Sequence, residues 1–157
     1  MKFLKQSKFH LIGMALTLGF APLALAQTPT DSTSPTTAID GLWMVESGNG
    51  KVEVKDCGDG TPCGTLVWIN KANGKSDVDI NNSDPALKDR PLIGSAVFWG
   101  FKQKGDKWKS GQIYDAESGK TYKSKIKLNE EGELEVKGCV GPICKTQTWV
   151  RTTLGET

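Results

Sequence analysis

The residues with the greatest chemical reach stand in one polar stretch, where Asp77, Asp79, Asp84 and Asp89 precede Arg90. Asp77-Val78-Asp79-Ile80-Asn81 begins like a calcium loop, in which oxygens at alternate positions converge on the ion. The pattern then fails. Asn82 stands where the motif wants glycine for its sharp turn, and Lys88 where it needs a bidentate glutamate. Gly119-Lys120-Thr121 looks like the end of a phosphate loop, but Tyr114 occupies the place of the upstream glycine. The only histidine is His10, so from Gln27 onward the chain has no imidazole. This excludes Ser-His-Asp and Cys-His nucleophilic catalysis and the usual imidazole metal sites, and leaves acid-base work to carboxylates, tyrosine or lysine. Neither cysteine pair, Cys57 with Cys63 or Cys139 with Cys144, has the two-residue spacing of a redox motif. No catalytic residue, resident metal or cofactor is expected.

These groups must be positioned by an exported domain. Residues 1–26 have a basic start (Lys2, Lys5, Lys8), an apolar run from Leu11 to Leu25 and a small-residue end at Ala26, the layout of a secretory signal peptide cleaved before Gln27. The apolar run is short for a membrane span and Pro22 interrupts it. No cysteine follows the cleavage point, so a lipid anchor is not expected. Losing the three lysines takes the formal charge from +2 to −1. A near-neutral domain has no electrostatic reason to bind nucleic acid or an anionic membrane, and its lysines, alternating with acids, read as a solvated strand face. Residues 27–38 are Thr, Ser, Pro and Asp with hardly an apolar side chain, and read as a flexible leader. Residues 39–157 then form one domain. The expected location is the periplasm or the exterior.

Short runs rich in Val, Ile, Leu and Trp recur between turn residues, and none sustains helical spacing. They predict strands over 41–46, 51–55, 65–70, 95–103, 107–114, 121–128, 133–137 and 146–151. An antiparallel meander of about eight strands hides its edges most simply by closing into a small up-and-down barrel. One long loop, 71–94, departs from the meander. Within it Ser83 or Asp84 could cap a short helix that starts at Pro85.

Four cysteines in an exported chain imply two disulfides and allow three connectivities. The up-and-down order puts the loop after the second strand and the loop after the seventh at opposite ends of the barrel. Cross-pairing would therefore need a different strand count, and the pairs favoured are Cys57 with Cys63 and Cys139 with Cys144. Both segments read as strand, cysteine loop, strand, an internal echo that chance similarity of amphipathic hairpins can also produce.

Five tryptophans, Trp43, Trp68, Trp99, Trp108 and Trp149, are spread over the strands. They suit a packed core, and alternatively the lining of a ligand cavity. Gly41-Leu42-Trp43 at the first strand with Arg151 closing the last looks like the Gly-x-Trp and distal Arg of lipocalin-like (calycin) barrels, in which the Arg lies across the Trp. A broader agreement comes from the Cys57 to Cys63-Gly64 loop leading into Leu66-Val67-Trp68, from Asp84-Pro85-Ala86-Leu87-Lys88-Asp89-Arg90-Pro91-Leu92-Ile93-Gly94, and from Gly111-Gln112-Ile113-Tyr114-Asp115 with Gly119-Lys120-Thr121-Tyr122. It continues through Gly138-Cys139-Val140-Gly141 with Cys144 to Gln147-Thr148-Trp149-Val150-Arg151. On these motifs the chain resembles the DUF2147 family of exported bacterial proteins. Lys88 where that family commonly has Arg, and Ala116 where Pro is usual, are mild departures. The family carries no established activity, so the resemblance implies fold and compartment.

The expected protein is therefore an all-β, lipocalin-like barrel, monomeric, with a non-catalytic role. Its partner would be a small hydrophobic or amphipathic ligand or an envelope protein, with no nucleic acid and no membrane span after cleavage. Loop 71–94 and the turn 115–120 fall at one end of the barrel. Asp79, Asp84, Arg90, Tyr114, Asp115, Lys120 and Tyr122 are the candidate ligand or partner residues there, unless Arg90 and Asp115 merely brace the loop as an ion pair. A structural or interaction module is the alternative. A hydrolase using two carboxylates on cell-wall material is a third reading.

Overall fold

The computed structural model describes residues 38–155. The signal segment, and the leader up to Thr37, lie outside the described residues. β1 (Gly41–Met44), β2 (Gly50–Asp56), β3 (Pro62–Ile69), β4 (Ala96–Trp99), β5 (Lys102–Lys104), β6 (Lys107–Asp115), β7 (Lys120–Leu128), β8 (Leu134–Val140) and β9 (Ile143–Arg151) form one antiparallel sheet. Its order is β4-β3-β2-β1-β9-β8-β7-β6-β5, and a further β4–β6 pairing closes it. β4 and β5 share one stave, so the barrel is eight staves around. The sequence predicts a single strand over 95–103. The break falls at Gly100, whose φ of +70° turns the chain sharply. The kink lets Phe101 enter the interior against Gly111, where an added Cβ would stand 2.4 Å from the phenyl ring.

Alternation along the strands decides what fills the barrel. Trp43, Val52, Val54, Phe98, Phe101, Trp108, Ile126, Leu134, Val136 and Trp149 are all buried and form one cluster. Phe98 packs edge-on to Phe101 with ring centroids 5.5 Å apart, and lies 5.9 Å from Trp149. Ile39, 2% exposed, plugs this end as the chain enters. Trp43 Nε1 donates to the Ile39 carbonyl at 2.9 Å. Arg151 lies across the Trp43 ring, 4.4 Å from its centroid, and donates to the carbonyls of Asp40 (2.9 Å) and Ala38 (2.6 Å). One half of the barrel is thus a packed aromatic core with a latched end.

The disulfides join Cys57 to Cys63 and Cys139 to Cys144, and no cysteine is free among the described residues. The second differs from the sequence expectation of a cysteine loop between shorter strands. β8 and β9 continue through both cysteines to a tight turn at Gly141-Pro142, so Cys139 and Cys144 are direct cross-strand partners with Cα atoms 4.0 Å apart. Polar Lys145 and Thr146 and small Gly138 hide the strand pattern there, and cross-strand pairing overrides weak local preference.

Candidate functional site

Antiparallel order places the β1–β2 loop, the 71–94 loop, the β6–β7 turn and the β8–β9 turn at the end opposite the Trp43 latch. The interior there is not filled. A cavity of about 560 Å³ opens between the barrel wall and the 71–94 loop. Val52, Leu66, Val97 and Ile113 line it from the strands, and Val78 and Leu92 from the loop. Its rim is polar, with Glu46, Asn49, Lys75, Glu117, Lys145 and Gln147. Tryptophan contributes nothing to this lining, so the indoles serve the packed half while aliphatic side chains make the hollow one.

The loop that roofs the cavity is held by a buried carboxylate. Asp79, with a side chain 0% exposed, receives the Tyr114 hydroxyl on Oδ1 at 2.5 Å. On Oδ2 it receives Arg90 Nε and Nη2, both at 2.8 Å, and Asn82 Nδ2 at 2.7 Å. Both oxygens thus accept, Oδ1 from one donor and Oδ2 from three, the condition on which a carboxylate tolerates burial. The local fold that delivers these donors is a narrow ladder within the loop. Asp79 N donates to the Arg90 carbonyl at 3.1 Å, and Leu92 N to that of Asp77 at 2.9 Å. Arg90 also stacks on the Tyr114 ring, 5.2 Å from its centroid. Burial alone would raise the Asp79 pKa, but hydrogen bonds from Tyr114, Asn82 and Arg90 and the guanidinium charge outweigh it and hold the carboxyl below its usual range. Asn82, which spoils the calcium pattern, is the residue that completes the acid's shell.

The same network pushes Tyr114 up to about 12, first through burial and then through its hydrogen bond and proximity to ionised Asp79. A phenol whose folded pKa is raised contributes stability that is present below pH 10 and is lost as pH rises toward 12. Tyr114→Phe is expected to cost about 2 kcal/mol at pH 7, one charge-assisted hydrogen bond. It should also abolish the phenolate absorbance step near pH 12, which an alkaline titration at 295 nm reads directly. A step of unchanged height in the variant would disprove the assignment.

A second set of contacts docks the roof onto the β6–β7 turn. Asn81 Nδ2 donates to the carbonyls of Ala116 (3.3 Å) and Glu117 (3.2 Å), and Ser83 N to that of Gly119 (3.3 Å). Lys75 Nζ meets Glu117 Oε1 at 2.7 Å on the rim, which with Asn49 and nearby Lys145 keeps the Glu117 pKa low. Glu117 is largely exposed and Lys75 half-buried, so solvent screens the pair and it adds little stability.

Of the candidates read from the sequence, the structure brings Asp79, Arg90 and Tyr114 into contact, and only Tyr114 and Asp115 line the cavity. The ion-pair partner of Arg90 is Asp79, not Asp115. Asp115 instead closes its own turn, accepting from Glu117 N (3.0 Å) and Ser118 Oγ (2.7 Å), and Ser118 Oγ also lies 3.1 Å from Tyr122 Oη. Asp84 caps the short 3₁₀ helix Pro85–Leu87 through Ala86 N and is exposed. Lys120 is exposed and stands opposite Asp115 across the hairpin. Sequence reasoning missed Glu46, Lys75, Glu117 and Lys145. The strand order was the available signal, since it puts the β1–β2 and β8–β9 turns at the same mouth. Among the described residues no group of three His, Cys, Asp or Glu side chains is placed to hold a metal ion.

Comparison with known proteins follows the same outline. The family model described as "Uncharacterized protein conserved in bacteria (DUF2147)" matches residues 41–151. A solved structure described as "Protein HP1028 from the human pathogen Helicobacter pylori belongs to the lipocalin family" superposes with a TM-score of 0.63 at 24% identity, covering 73% of this chain and 83% of that one. The likeness is one of fold. No curated protein matches the chain.

Proposed function

The chain belongs to the bacterial family DUF2147, and we propose that it is an exported, non-catalytic barrel that takes a small apolar or amphipathic molecule into its open half. The cavity carries this reading. Its volume of about 560 Å³ falls within the roughly 300–1,000 Å³ usual for small-molecule sites. Its wall is aliphatic and its rim carries both charge signs, which suits a chain-like body with a polar end. Two disulfides agree with an oxidising compartment. The carboxylates give a hydrolase no support: Asp79 and Glu117 are held low, whereas a general acid needs a raised pKa. Asp40, which burial does raise, lies at the latched end.

The test is to fill the hollow. Val97 lines the cavity and is only partly buried. Val97→Trp is expected to weaken binding of the probe 8-anilino-1-naphthalenesulfonate at least tenfold while leaving the thermal midpoint within a few degrees. Decanoic acid should displace the probe from the parent protein. Equal probe affinity in the two proteins, or no displacement, would overturn the reading. Native mass spectrometry of the protein taken from periplasmic extract would show the natural occupant.

A further inference from the structure

Strand register gathers lysines that the sequence leaves scattered. Lys102 stands directly opposite Lys109, and Lys104 opposite Lys107. Lys107 in turn stands opposite Lys127, and Lys125 opposite Lys137. Cross-strand partners share a face, and the alternating residues Trp108, Ser124, Ile126 and Val136 are buried, so these lysines lie on the outer wall of β5–β8 together with Lys123. The acids among them are Asp106, 3.9 Å from Lys107, and Glu135, which Lys127 and Lys137 share at 3.6 and 3.4 Å. On the strands themselves eight outward lysines face one acid, Glu135, with Asp106, Glu130, Glu131 and Glu133 in the turns at one end, in a domain whose total charge is near zero. Like charges placed directly opposite destabilise a sheet. The crowding is felt at Lys109, whose pKa is lowered by burial and then by Lys104, Lys107 and Lys125.

We propose that this wall docks the barrel onto an anionic phospholipid surface, with headgroup phosphates as the counter-charges. Strand spacing of about 5 Å and a two-residue repeat of about 7 Å set the ammonium groups on a two-dimensional grid rather than along a line. The wall of a barrel is convex, and a hollow on it, lined by Ser110, Gly111 and Gln112 of β6 and Thr121, Tyr122 and Lys123 of β7, crosses only two strands and is too short to track a strand of nucleic acid. It also lacks the series of aromatic platforms that single strands stack on. The one indole in register with it is Trp99, opposite Gln112 and through it Lys123, half-buried at the margin of the face. An amphipathic ring at the border of a basic patch suits the headgroup zone. Each lysine near such a surface strengthens partitioning about fivefold at moderate salt.

Sedimentation with vesicles tests this. The full protein is expected to bind vesicles of phosphatidylglycerol and phosphatidylcholine at 25 mM NaCl, to lose at least tenfold by 300 mM, and to ignore pure phosphatidylcholine. Lys107→Gln, Lys109→Gln and Lys125→Gln together should weaken binding at least tenfold. Lys55→Gln, Lys71→Gln and Lys88→Gln, the same change in net charge placed elsewhere, should cost less than threefold. The face variant should melt no lower than the parent in low salt, because like-charge pairs are relieved. Equal losses in the two triple variants, no binding at 25 mM, or tighter binding of oligothymidylate than of vesicles at equal phosphate would each overturn the proposal. Val97→Trp should sediment like the parent, so failure here and failure of the cavity reading are separable.

Discussion

Arg90→Met is expected to destabilise the protein by about 3 kcal/mol at pH 7, more than Asp79→Asn, which should cost about 2 kcal/mol. The two changes break the same ion pair but leave different charges behind. Without Arg90 the residual charge is a carboxylate with a side chain 0% exposed, whereas without Asp79 it is a guanidinium 35% exposed that water can reach. The uncompensated buried charge is the dearer of the two, and solvent access to Arg90 keeps the first figure at the low end of the range for broken buried pairs. The pH dependence follows from the lowered Asp79 pKa. A folded-state pKa below the unfolded value gives stability that is present above about pH 4 and is lost as pH falls through the folded value. Arg90→Met removes the guanidinium's hydrogen bonds and charge, while those from Tyr114 and Asn82 stay, so the Asp79 pKa rises and the variant loses less than the parent as its acid is protonated. The difference between parent and variant should therefore shrink in acid. Urea titrations at pH 7 and pH 3.5 measure both effects, and a gap that widens in acid would refute the assignment of Asp79 as an ionised anchor.

Gly119→Ala is expected to release the roof of the cavity. Gly119 has φ of +67°, and an added Cβ would stand 1.7 Å from the Asn81 carbonyl oxygen, a backbone atom that cannot rotate away. The left-handed conformation alone costs about 1–2 kcal/mol with a side chain present. Undocking of Asn81 and Ser83 brings the total to about 3 kcal/mol. Gly105→Ala is the control: φ is +63° but nothing lies within 4 Å, so only the conformational strain remains. In Gly119→Ala the 71–94 segment should become the first site of limited proteolysis and probe affinity should fall at least tenfold, while Gly105→Ala stays like the parent in both. A roof as resistant in Gly119→Ala as in the control would show that the turn does not hold it.

The sequence is most legible where a side chain must be buried. Val52 and Val54, Ile126, Leu134 and Val136 keep strict alternation, and the strands they mark are present. Up-and-down order then follows from short connections, and with it the placing of the long loop and the β6–β7 turn at one mouth. Two things resist such reading. Register is one: a lysine every second residue in β5, β6 and β7 looks like an ordinary wetted face until pairing sets Lys102 against Lys109 and Lys125 against Lys137. A total charge near zero hides that asymmetry entirely. Loop geometry is the other. Asp79, Asp84 and Asp89 look alike in sequence, yet Asp79 is buried among three donor side chains while Asp84 caps an exposed turn. The turn at Ile80-Asn81-Asn82 makes that choice, through the Asn82 amide hydrogen bond to the Asp79 carbonyl at 2.8 Å. No periodicity reports it.

Arg151 reaches back to the carbonyls of Asp40 and Ala38, and Thr152 N donates to the Leu42 carbonyl at 3.0 Å, so both ends of the described chain begin at the pole away from the mouth. A tether at either end therefore presents the cavity outward. For a sensor chip or a fusion protein this makes orientation indifferent to the choice of terminus, and capture by one end or by the other should return the same ligand affinity.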